Sequence, residues 1–120
     1  MRNSVLGTVR GTGEVFDGAL VGASRIGVNA LQAVSVAAAA AVRGAARAGT
    51  DTALAARSAV EGAIWGAQDL GVDPIDVAIA AEAGAIRAAA ELGSAALRAV
   101  RPAVSGVIGG VPIPPEASAP

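Results

Sequence analysis

The stretch that decides the fold is Gly62–Val72, GAIWGAQDLGV, because the chain repeats it in outline. Gly18–Val28 reads GALVGASRIGV and Gly84–Ser94 reads GAIRAAAELGS. The three starts are 44 and 22 residues apart, both multiples of eleven. AAVRGAARAGT from Ala40, GTVRGTGEVFD from Gly7 and AALRAVRPAVS from Ala95 fall in the same frame, which runs unbroken from residue 7 to residue 105.

Numbering the unit from Gly7, the third place is Val9, Leu20, Leu31, Val42, Ala53, Ile64, Ile75, Ile86 and Leu97, always apolar and nearly always large. The fifth is Gly11, Gly22, Ala33, Gly44, Ala55, Gly66, Val77, Ala88 and Ala99, almost always very small. Of the 17 charges in the frame, 14 stand at places four, seven, eight and eleven, and none at two, three, five, six or nine. Eleven residues complete three turns at about 3.67 residues per turn, close to a straight α-helix. Wrapped on such a helix, the charged places form one arc and places nine, two, six, ten and three the opposite one, with the small places one and five along a border. The expected fold class is therefore all-α: long amphipathic helices with hendecad repeats, assembled as a bundle or straight to right-handed coiled-coil oligomer. The expected interaction seam comprises Val9, Gly11, Leu20, Gly22, Leu31, Val42, Gly44, Ile64, Gly66, Ile75, Ile86 and Leu97.

Local signals divide the frame. Asn3 or Ser4 can cap a first helix running to residue 48, where Gly49-Thr50-Asp51 offers a break with Thr50 as the next cap. In Leu70-Gly71-Val72-Asp73-Pro74-Ile75-Asp76, Gly71 suits the left-handed residue after a helix and Val72 its apolar fold-back. Asp73 then caps the next helix, Pro74 fits its first position, and Asp76 lies near its positive end. Pro102 closes that helix. The expected organisation is a helical region over 1–105, with helices at about 4–48, 51–70 and 74–100 and a helix–turn–helix around 70–75, followed by a Gly/Pro-rich extended tail over 106–120.

Composition narrows the function. The 120 residues are 53% hydrophobic with a mean hydropathy of +0.57, but only 2% aromatic. Alanine buries little area per residue, so a core within one chain should be thin, with partners supplying the rest. Without Cys or His there is no thiol chemistry, disulfide, zinc site or histidine-based triad. No enzyme and no cofactor is expected, since no acid–base pair with a plausible pocket emerges and Ser24, Ser35, Ser58 and Ser94 lack a base. Asp69, Asp73 and Asp76 lack the alternating oxygens of a calcium loop, and Gly7–Gly13 lacks the lysine and strand of a phosphate loop. A net charge of −1 argues against nucleic acid as partner. The charge is segregated: +3 over residues 1–50 (five Arg, two acids), −5 over 51–93 (two Arg, seven acids) and +1 over 94–120 (two Arg, one acid). The basic and acidic parts could pair within or between chains, or simply form solvated faces.

Residues 26–42 are the best candidate for a membrane span, but 17 residues is the short limit and Asn29, Gln32 and Ser35 interrupt it. No signal peptide is evident, so a cytoplasmic location is expected, with membrane association left open. Gly7/Gly11 and Gly18/Gly22 are small-xxx-small pairs that suit close backbone approach. Glu82, in the apolar arc, is either a surface residue out of place or paired with an Arg of a neighbouring helix; Trp65, on the polar arc, either anchors to a partner or membrane interface or covers a helix crossing.

The pattern resembles the broad class of eleven-residue-repeat amphipathic helical proteins: phasin-like granule coats, perilipin- and synuclein-type lipid-surface proteins, late-embryogenesis-abundant proteins and right-handed coiled coils. The resemblance covers residues 7–105 and rests on period and residue class, so it brings no functional residues with it. The chain departs from the lipid-surface members in lacking Lys and bulky apolar residues, and from the desiccation proteins in its low charge. Two functions follow. One is a scaffold subunit that binds its own copies and other proteins, with a membrane tether or an apolar lumen as extensions. The alternative is a phasin-like coat on a lipid or storage-granule surface.

Overall fold

The computed structural model describes residues 30–113, which form four α-helices and one small hairpin. The chain is all-α in class. The helices are α1 (Ala30–Ala48), α2 (Thr52–Leu70), α3 (Pro74–Leu92) and α4 (Ser94–Ala103). Two short strands follow, β1 (Gly106–Ile108) and β2 (Val111–Ile113). Val9, Gly11, Leu20, Gly22 and the glycine pairs of the first repeats lie outside the described residues, as do the start of the first helix and residues 114–120.

The breaks between helices have local causes. α1 ends on Gly49, whose φ of 72° is left-handed. Thr50 N–H donates to Ala45 O and Gly49 N–H to Ala46 O, a pattern that satisfies the last carbonyls of the helix. The next cap is Asp51 rather than Thr50: its Oδ1 accepts from Ala53 N–H and Leu54 N–H, while Thr50 Oγ1 turns back to donate to Ala45 O. α2 ends on Gly71, again at φ 72°, and Val72 N–H folds back to Ala67 O as its side chain packs against the core. Asp73 Oδ1 accepts from Ile75 N–H, with Pro74 in the first helical position.

The third helix is shorter than the expected 74–100 span. Gly93, with φ 129° and ψ 174°, splits it into α3 and α4, and no side chain caps the second piece. The backbone there takes a conformation that side chains disfavour, and the bend lets α4 pack on both α2 and α3. Pro102 sits in the last turn of α4, which ends one residue later.

Residues 106–113 are not a free tail. β1 and β2 pair antiparallel, Gly106 with Ile113, Val107 with Pro112 and Ile108 with Val111. The two-residue turn is Gly109-Gly110, with φ of 57° and 82°, which matches the twist of a hairpin. Alternation then directs Ile108, Val111 and Ile113 into the core and leaves Val107 and Pro112 outside. Gly109 rests on Ile64 of α2: a Cβ there would lie 3.6 Å from the Ile64 side chain.

One apolar core results, and alanine builds half of it: among the described residues, 11 of the 22 buried hydrophobic ones are Ala. The core is closed by close approach of helices rather than by large side chains.

Candidate interaction surface

The longest helix interface joins α1 to α3, and its narrowest point is Gly84. A Cβ on Gly84 would run into the carbonyl oxygen of Ser35, with the carbonyl carbon at 2.7 Å and Cα at 2.9 Å. Backbone cannot yield as a side-chain tip can, so only glycine fits. Further along the same interface Arg43 Nε and Nη2 both donate to Glu91 Oε1, at 3.0 and 2.9 Å. This pair joins the basic first part of the sequence to its acidic middle within one chain. Both side chains are well exposed, so its contribution is small. Arg57 and Glu61 form an i,i+4 pair at 3.5 Å on α2.

The seam residues divide into three groups. Val42, Ile64, Gly66 and Ile86 are buried inside the chain. Gly44 and Leu97 are half-buried. Leu31 and Ile75 are 39% and 46% exposed. The seam was expected to join helices of different copies; in its middle it joins helices of one.

What remains outside is large and aliphatic. Leu31, Leu54, Leu70 and Leu92 are 39–52% exposed, and Leu97 is half-buried, so no leucine among the described residues is buried. Val36, Ile75, Ile79 and Val107 add to this surface, at 42–66% exposure. Sequence reasoning named Leu31 and Ile75 but not Leu54, Leu70, Ile79 or Leu92. Ile79 lies in the second turn of α3, whereas Leu70 and Leu92 are the last residues of α2 and α3, next to Gly71 and Gly93. That proximity to Gly71 or Gly93 was the one signal available.

Glu82 is 4% exposed and therefore not a surface residue out of place. Ser58 is also buried, at 6%. Trp65 is half-buried on α2. Among the described residues no group of three or more acidic side chains is arranged to hold a metal ion. Nor is any described helix long and apolar enough to cross a membrane, and only residues 30–42 of the candidate span at 26–42 fall within this region.

Comparison with protein-family models, curated proteins and solved structures finds no match for this chain.

Proposed function

We propose that the chain is a non-catalytic structural subunit that self-assembles and scaffolds other proteins through its exposed aliphatic surface. The observation that carries this reading is an inversion of side-chain size. Among the described residues alanine makes up half of the buried apolar positions, while leucine, the usual core residue, is exposed or half-buried. Full burial of one leucine or isoleucine is worth about 1.5–3 kcal/mol, so this surface holds a gain that a partner would realise.

The eleven-residue frame supports the same reading. Up to residue 105, the buried residues fall at places one, two, three, five, six, nine and ten, with Ala39 and Ser58 as the exceptions. Three charges depart from the polar places. Two of them, Asp51 and Asp73, are helix caps. A stripe so arranged lets successive helices stack with the same register, within a chain or between copies. The coat reading requires the broad apolar arc to face lipid. With Val42, Ile64 and Ile86 in the core, that arc becomes available only if the helices come apart.

Light scattering of the full chain in lipid-free buffer, with and without vesicles, tests the proposal. A defined oligomer is expected, with helical content unchanged on adding lipid. A monomer that gains helix and binds only in the presence of vesicles would sink the scaffold reading and favour the coat.

A further inference from the structure

Charge and exposed aliphatic surface are arranged with a polarity along the helices. α1 and α3 run parallel, since Ser35 meets Gly84 and, further along both helices, Arg43 meets Glu91. Their N-terminal ends therefore lie together. At that end Ile75 and Ile79, one helical turn apart on α3, are 46% and 42% exposed, and Leu70 before the turn is 42% exposed. Asp69, Asp73 and Asp76, all exposed, stand among them. No cation occurs in the sequence between Arg57 and Arg87. At the other end Leu92, 43% exposed, shares a shallow cleft with Arg43, Ala46 and Arg47. Ile75 and Leu92 are separated by about 25 Å along α3, at 1.5 Å per residue. One end is thus apolar with three carboxylates around it, while the cleft at the other end carries Arg47 beside Arg43, whose charge Glu91 engages.

We propose that copies of this chain associate head to tail, the Leu70–Ile75–Ile79 corner of one copy seated on the Arg47–Leu92 cleft of the next. The proposal rests on the self-assembly reading above and gives that assembly a direction. Apolar area supplies the attraction, and the opposite charges select the pairing. Corner on corner would bring carboxylates together, and cleft on cleft would bring guanidinium groups together, so contact between like ends is disfavoured. The two patches differ, so the contact is heterologous, and repeating it builds a ring or a filament.

Analytical ultracentrifugation of the full chain tests this with Asp69→Arg and Arg47→Glu. Arg43 is left untouched because it binds Glu91 within the chain. In 50 mM salt the wild type should associate, and 500 mM salt should weaken it through screening. Each single reversal should weaken self-association at least about tenfold, as expected when an attractive pair becomes a repulsive one. An equimolar mixture should associate again, because Arg47→Glu retains a native corner and Asp69→Arg a native cleft. Circular dichroism checks the helices, and Arg47→Gln reads the same contact if Arg47→Glu loses helix. An oligomer indifferent to both reversals, or a mixture that stays apart, overturns the head-to-tail contact but leaves self-assembly standing. A wild type that is monomeric at every concentration and salt overturns both.

Discussion

Gly84 in the middle of α3 and Gly44 near the end of α1 lie on helices that pack against each other, yet their surroundings are opposite. At Gly84 the space of a side chain is already taken by the Ser35 backbone. At Gly44 a Cβ would meet nothing within 4 Å. The repeat frame treats both as small places on the border of the polar arc, and only Gly44 entered the expected seam. The comparison teaches that a small residue in an amphipathic repeat permits a close crossing without specifying one. The crossing occurs where two helix axes converge, and elsewhere the same residue is a cost to the helix.

Substitution separates the two cases most sharply. Gly84→Ala should destabilise the domain by about 3 kcal/mol, at the upper end for overpacking, because α1 and α3 must move apart. Ile64→Ala is expected to cost a comparable amount, about 2–5 kcal/mol, since it empties the site on which the Gly109 turn rests. Thermal or denaturant unfolding measures both, and a wild-type midpoint for Gly84→Ala would break the account of the α1–α3 interface. Gly44→Ala should act in the other direction and stabilise by about 0.5–1 kcal/mol, the usual gain from replacing glycine by alanine in a helix with room for it. Any loss of stability in that variant would mean that Gly44 makes a contact of its own. The smallest effect is expected for Arg43→Ala, at most about 1 kcal/mol and less in high salt, as its partner Glu91 is exposed.

A second contrast lies between the helix junctions. At residues 70–76 each part of the turn is legible in advance: Gly71 for the left-handed end, Val72 for the fold-back, Asp73 for the cap and Pro74 for the first helical residue. Such signals act over one helical turn, so sequence alone carries them. At Thr50-Asp51 two adjacent residues could each cap, and the backbone geometry selected Asp51. At Gly93 there is no capping side chain and no proline. Leu92-Gly93 repeats Leu70-Gly71, but with no cap or proline behind it the glycine permits a bend without requiring one, and the packing of α4 on α2 and α3 takes it up. The hairpin behaves likewise. Val111-Pro112-Ile113 reads as extended from its proline, but its pairing with Gly106–Ile108 depends on the apolar surface of α2 and α3 that receives it.

The third place of the repeat shows the limit of the period. Ile64 and Ile75 hold the same place in the repeat, yet Ile64 is fully buried and Ile75 is 46% exposed. Ile64 lies in the middle of α2 under the hairpin turn, whereas Ile75 lies in the first turn of α3. The difference is one of position along the helix, which an eleven-residue period does not encode.

Sequence by itself determined the helical class, the turns at Gly49 and Gly71, the gathering of most charges on one arc and the small size of the packing residues. These follow from rotation per residue, capping and side-chain volume, which are properties of short segments. Tertiary structure alone decided that Gly84 rather than Gly44 is the crossing point, that Gly93 turns the chain, that the hairpin docks, and that Leu31, Leu54, Leu70 and Leu92 remain outside. Each of these depends on where two separate segments meet, and the free energy of that meeting belongs to neither segment alone.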